Sequence, residues 1–222
     1  MSRRRRTAGR AFGAVVAAAC LLFSFYLQTE KPAAPGRRGP RSAPQASVTW
    51  VTLADARFTD GPANDGDSFV VTHRGGTHTL RLYFVDCCEK RRYDLVRSRI
   101  VDQAAYFGGI TETQVITLGR RARDRTKELL TTRPARYHTR WERVFDSERF
   151  YAHVEVQTES GDWQQLAAVL VAEGLARIHT KPADLPDGTA AVQFTGTLRQ
   201  LERTARTRRL GGWQHAAAPP AD

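Results

Sequence analysis

The sequence predicts an α+β fold that is mainly β, a small five-stranded Greek-key barrel with about three helices. Three observations point there. Short β-branched and aromatic runs recur between Gly, Pro, Asn and Asp turns. One long amphipathic run, Thr113–Thr131, interrupts them midway, and further helical stretches fall near the C-terminal end. Strands and helices do not alternate as a βαβ fold requires, and no internal repeat is visible.

Taken in order, Val48–Phe58 alternates loosely, with Trp50 and Leu53 as core contacts, and reads as the first strand. Thr59–Asp65 is a Gly/Pro/Asn/Asp loop. Ser68–His73 and His78–Val85 form a hairpin about the glycine turn Arg74–Thr77. The hairpin is entered through Asp65-Gly66-Asp67 and left through Asp86-Cys87-Cys88-Glu89. The chain then turns polar as far as Arg99, and Gln103–Phe107 has room for a short helix stopped by Gly108-Gly109. In Thr113–Thr131, Val115, Leu118, Ala122, Leu129 and Leu130 share one face, with the arginines and Lys127 mainly on the other. Ala135–Trp141 and Arg149–Val156 are further strands joined by the polar loop Glu142–Glu148. A turn at Glu159–Asp162 leads to a helix, Trp163–Glu173, capped by Gly174. A short strand-like segment, Leu175–Ile178, and a basic helix, Thr195–Arg208, close the domain.

Ahead of this domain, Met1–Arg10 is basic and Ala11–Leu27 almost wholly apolar. As a helix the apolar run would measure about 25 Å against a hydrocarbon core of ~30 Å. It exceeds a usual signal-peptide core and no clean cleavage site follows, so it reads as an uncleaved membrane anchor, with a cleaved signal peptide as the alternative. Under either reading the remainder is exported. The expected domains are a signal-anchor or signal peptide over 1–28, a disordered Pro/Gly/Arg linker over 29–47, the folded domain over 48–213 and a disordered tail over 214–222.

The formal net charge of +11 on 222 residues suggests a polyanion partner, but its distribution weakens that inference. Residues 1–46 hold nine bases and one acid, leaving 25 bases and 22 acids for residues 47–222. Any affinity for nucleic acid must therefore come from a local patch. Three cysteines build no disulfide framework. The chemistry concentrates in Asp65–Glu89, which combines oxygen ligands for a hard cation, a guanidinium at Arg81 and a spare carboxylate at Glu89. These are the parts of a metal-assisted phosphodiesterase.

DGDS, twelve residues, then RLYFVDCCE, followed by ERFYAHVEV and WQQLAAVLVAEGLARI, resembles the staphylococcal nuclease (thermonuclease-like) family over roughly Val48 to Trp213. The resemblance implies an OB-fold barrel and calcium-dependent hydrolysis of DNA or RNA leaving 3′-phosphate ends. It implies Asp67 and Asp86 as calcium ligands, with the Cys87 carbonyl as the third protein oxygen. Glu89 would be the base that activates or positions water, and Arg81 and Arg149 the phosphate clamps. The expected partners are nucleic acid as substrate and, through the N-terminal apolar segment, a membrane, with the domain a monomer. The alternative, from another class, is a non-catalytic OB module that binds nucleic acid or another polyanion.

Four features depart from, or strain, that pattern. Cys87-Cys88 stands where the family has a threonine-like residue and a proline; losing the proline removes a φ restraint and loosens the approach to Glu89. Ordinary buried thiols, a vicinal disulfide switch and a soft-metal site recruiting His153 are the readings of that pair. An insertion, Tyr93–Thr113, is expected to narrow or cover the groove. His179 and Thr180 occupy the region where the family has a base-stacking aromatic. Finally, strict alternation places Arg81 and Asp86 on opposite faces of a strand, so a bend or bulge near Val85, or the reach of the arginine stem, must reconcile them.

Overall fold

A computed structural model describes residues 49–216, within one compact unit, Ser47–Asp222. The apolar segment, the whole of the linker and the end of the tail lie outside the described residues. Among those described, no helix is long and apolar enough to cross a membrane.

The described residues form a mixed fold, with four α-helices and a mostly antiparallel sheet. The strands are β1 (Val51–Thr52), β2 (Arg57–Thr59), β3 (Ser68–His73), β4 (Gly76–Leu82), β5 (Val85–Cys87), β6 (Ala135–Arg143), β7 (Arg149–Gln157), β8 (Trp163–Gln165) and β9 (Ala176–Ile178). The helices are α1 (Arg97–Tyr106), α2 (Glu112–Thr132), α3 (Leu166–Ala172) and α4 (Ala191–Thr207). The main sheet runs β1-β6-β7-β4-β3-β2, with β8 added to β7, and β5 pairs separately with β9. Among the described residues only β4 and β7 are parallel, and their register sets Thr79 opposite Arg149 and Arg81 opposite Tyr151.

The mixed, mainly β class is as expected, but the expected five-stranded barrel is here a longer set of shorter strands with no barrel closure among the described residues. Its edge strands β1 and β2 are not paired with each other among the described residues. The first predicted strand is two short ones, because Asp55 takes a left-handed conformation (φ 55°) between them. Leu53 is buried and Trp50 packs against the core, as expected. The second hairpin strand also breaks. Phe84 adopts φ 69°, its N–H bonds to the Lys181 carbonyl, and its own carbonyl accepts from His179 and Thr180. That break turns the chain and brings Asp86 round to Arg81, supplying the bend that alternation allowed for.

Helix boundaries moved for local reasons. Helix α2 begins at a capping box in which Thr111 and Gln114 satisfy each other's backbone N–H, and its predicted apolar face is buried. Helix α1 starts six residues before the expected Gln103, because Ile100 and Gln103 both face inward from an otherwise polar run. Trp163–Gln165 pairs with β7 instead of opening the next helix, so α3 starts only at Leu166. Helix α3 packs on β7 and α4, and α2 packs on α1 and β2. The core between them holds Phe69, Leu80, Leu82, Val85, Leu118, Leu166 and Leu198.

Candidate active site

The β3–β4 hairpin and the break after it gather the predicted residues. Arg81 lies opposite Ser68 in the hairpin register, and its guanidinium reaches Asp67 Oδ1 at 3.2 Å and Asp86 Oδ1 at 2.7 Å. Asp67 is buried, and its Oδ2 accepts from the Cys87 N–H at 2.6 Å. So Asp67, Arg81, Asp86 and Cys87 form one buried network spanning the turn before β3 and the strand after the break.

Asp86 carries more partners than the motif suggested. Its register partner on β9 is Arg177, whose Nε donates to Asp86 Oδ2 at 2.8 Å. Helix α1 supplies two more groups, four residues apart and hence on one face. Arg99 Nη2 meets Asp86 Oδ1 at 2.9 Å, and Arg99 Nη1 meets Glu89 Oε1 at 2.9 Å. The fully buried Gln103 donates to Asp86 Oδ2 (3.2 Å) and to the Cys87 carbonyl (3.1 Å), and accepts from the Glu89 N–H (3.0 Å). The insertion therefore does not merely cover the groove; it contributes to the site. Sequence reasoning missed Arg99, Gln103 and Arg177. For Arg177 a signal existed, since an arginine between the apolar Ala176 and Ile178 of a strand needs a buried partner.

These contacts explain the electrostatics. Burial pushes the Asp67 carboxyl up to about 6, against the opposing charge of Arg81. Burial would raise Asp86 too, but Arg81, Arg177 and Arg99 overcome it and hold Asp86 below the usual carboxylate range. Burial raises Glu89, with Arg99 pulling the other way.

The cysteines are ordinary. Cys87 and Cys88 are free and buried, and burial pushes both thiols up, so neither is a ready nucleophile or redox centre. The ring of His153 lies against Trp50, Tyr83 and Phe84. Among the described residues no three His, Cys, Asp or Glu side chains gather closely enough to hold a metal, which removes the soft-metal reading. The missing proline at position 88 is compensated. Glycine 119 on α2 lies directly under the Cys88–Glu89 backbone, where an added Cβ would stand 2.5 Å from the Glu89 carbonyl oxygen. With the Gln103 bond to the Glu89 N–H on the other side, the segment is clamped between two helices, so the expected loosening does not occur.

Beside this network opens a cavity of about 480 Å³, lined by Arg81, Asp86, Arg99, Arg143, Arg149, His179 and Lys181 among others. Arg149, at the start of β7, forms no ion pair among the described residues; its Nε and Nη1 approach the hydroxyls of Ser147 (3.4 Å) and Ser68 (3.5 Å). The Ser68 hydroxyl also lies 3.4 Å from Arg81 Nη1, so one buried hydroxyl stands between the two guanidiniums. Phe145, 86% exposed and left-handed at φ 51°, stands at the rim.

A family model described as staphylococcal nuclease homologue matches residues 79–215. The chain belongs to the staphylococcal nuclease family. Within the match lie Arg81, Asp86, Cys87, Glu89 and Arg149, and so do Arg99, Gln103 and Arg177; Asp67 precedes it. No curated protein matches this nuclease-family chain.

Proposed function

We propose that the chain is a calcium-dependent endonuclease that hydrolyses phosphodiester bonds of DNA or RNA. The observation that carries this reading is Arg149, a guanidinium without a carboxylate partner among the described residues, facing the same cavity as Arg81 and Asp86. An unpaired guanidinium beside a second one suits bidentate recognition of a phosphate.

The residues present fit calcium by donor chemistry. Asp67, Asp86 and the Cys87 carbonyl are all hard oxygens, and their pairwise bridging by Arg81 and Gln103 supports their use as one ligand set. Two carboxylates, a carbonyl and water make an open site, provided that the N–H groups now on those oxygens yield. Bound there, the ion would supply charge against a phosphoryl oxygen and acidify a water.

The chain's own groups then have distinct tasks. Arg81 and Arg149 bind and orient the phosphate and stabilise negative charge growing on its oxygens, where one preorganised donor is worth about 3–4 kcal/mol. Glu89, its pKa raised by burial, takes the proton from the attacking water. The Ser68 hydroxyl keeps the two guanidiniums in register. Phe145 offers an exposed ring at the cavity mouth, in place of the aromatic that is absent near His179. We read the curved sheet as the family's OB-type core, and the basic and apolar N-terminus as placing the domain outside the cytoplasm. Protease accessibility on intact cells tests the latter.

The deciding experiment measures cleavage of DNA and of RNA by the full-length chain, with calcium and after chelation, beside Glu89→Gln. Cleavage lost on chelation, with Glu89→Gln turning over at least ~100-fold more slowly at near-unchanged substrate affinity, is expected. Equal activity of the two proteins, or indifference to chelation, refutes the mechanism. Binding without cleavage under every condition would mark a recognition module instead.

A further inference from the structure

The three guanidiniums on Asp86 are not equivalent. Arg177 is buried with Asp86 across the β5–β9 ladder, and Arg81 is buried between Asp67 and Asp86. Taking Arg81 away would leave the buried Asp67 without an ion pair among the described residues, and taking Arg177 away would strip Asp86 of one of its two buried guanidiniums. Arg99 differs in origin, exposure and geometry. It comes from α1, its side chain is 43% exposed, and it divides its terminal nitrogens between Asp86 Oδ1 and Glu89 Oε1. It also lines the cavity that Arg149 faces.

Resting on the nuclease reading above, we propose that Arg99 is an exchangeable third phosphate ligand. In the free protein its guanidinium holds the two carboxylates that the reaction needs. A phosphodiester entering the cavity offers oxygens for the same N–H groups, so Arg99 exchanges carboxylate for phosphate. The exchange forms and breaks hydrogen bonds only; no proton or electron is transferred. It frees Glu89 for water and leaves Arg81 Nη2 as the one side-chain donor on Asp86 Oδ1 among the described residues. Helix α1 need not move, because Gln103, one turn on, keeps its bond to the Glu89 N–H. Arg177 and Arg81 stay to compensate Asp86.

This arrangement couples two ligands. Arg99 competes with a cation for Asp86, and substrate removes the competitor, so each ligand should tighten the other's binding by the same factor. Without Arg99 the cation meets one competitor fewer for Asp86 in the free protein, and the phosphate loses one contact.

The test is calorimetric titration of calcium into the full-length protein, alone and with a phosphorothioate-linked tetranucleotide, for wild type, Arg99→Gln and Arg99→Lys. In wild type the oligonucleotide should tighten calcium binding about tenfold. In Arg99→Gln, calcium should bind the free protein more tightly than in wild type, the oligonucleotide more weakly, and the coupling should fall to within about twofold. Arg99→Lys, whose single ammonium serves one carboxylate at a time, should be intermediate. Coupling of the same size in all three proteins, with cleavage of DNA or RNA intact in wild type, overturns the role of Arg99 alone. Absence of oligonucleotide binding and of cleavage by the wild-type chain overturns the nuclease reading itself.

Discussion

Replacing Gly119 with alanine should injure catalysis far more than stability, although residue 119 is remote from any substrate. An added Cβ would lie 2.5 Å from the Glu89 carbonyl oxygen and 2.6 Å from its carbonyl carbon. Ordinary van der Waals contact begins near 3.4 Å, so the Cys88–Glu89 backbone must retreat by roughly 1 Å. The opposing stability terms are of similar size. Overpacking costs ~1–3 kcal/mol, and alanine in place of glycine within a helix returns ~1 kcal/mol. The net loss is about 0–2 kcal/mol, a Tm shift of at most a few degrees for a domain of this size. A misplacement of about 1 Å at a reacting group costs on the order of 100-fold in rate. Thermal melts and single-turnover cleavage by Gly119→Ala, compared with wild type, separate the two effects. Turnover within threefold of wild type would refute the view that α2 fixes the position of Glu89.

Other perturbations test other parts of the network. Arg177→Met removes one buried partner of Asp86 while Arg81 and Arg99 remain, so it should cost about 3 kcal/mol, the low end for breaking a buried ion pair, measured as a lowered urea midpoint. An unchanged midpoint would mean that the pair contributes nothing. His153 is held neutral by burial, its pKa lowered to about 4 against about 6.5 when unfolded. The unfolded chain thus binds the extra proton first, and stability should fall as pH drops from about 6.5 to 4, by on the order of 3 kcal/mol in all. Urea melts of wild type and His153→Phe across that window should show a shallower slope in the variant; parallel slopes would rule the residue out. Thr111→Ala removes the N-cap of α2 and should lower stability by about 1 kcal/mol without changing cleavage once the protein is folded.

Much of the site was legible because its motif is local. Asp67, Arg81, Asp86 and Glu89 fall within one hairpin and its exit, where turn chemistry and strand alternation constrain them. Arg149 was legible through the family pattern and through its place at the start of a recognisable strand. Arg99 and Gln103 were not, because they sit in a polar stretch whose helical character depends on tertiary burial of Ile100 and Gln103, not on an evident apolar face. The breaks at Asp55 and Phe84 were illegible for another reason. Phe84 is bulky and aromatic, so nothing local announces its left-handed conformation, while Asp55 is of a type that tolerates one yet stands inside a strand-like run. Alternation asked for a bend near Val85 or a long reach by Arg81, and the turn at Phe84 is how the chain meets it.

The one parallel pairing in the sheet among the described residues, β4 with β7, carries a kinetic consequence. The two proposed clamps, Arg81 and Arg149, ride on these neighbouring strands, yet β5, α1, α2 and β6 intervene in the chain. Closing so large a loop costs entropy before any contact repays it, and strand pairs distant in sequence form late. The β3–β4 hairpin and the capped helix α2 rely on near-neighbour contacts and can form first. A refolding chain should therefore regain helical circular dichroism ahead of phosphate affinity, and should pass through a species that has its carboxylates gathered but only one of its two clamps in place.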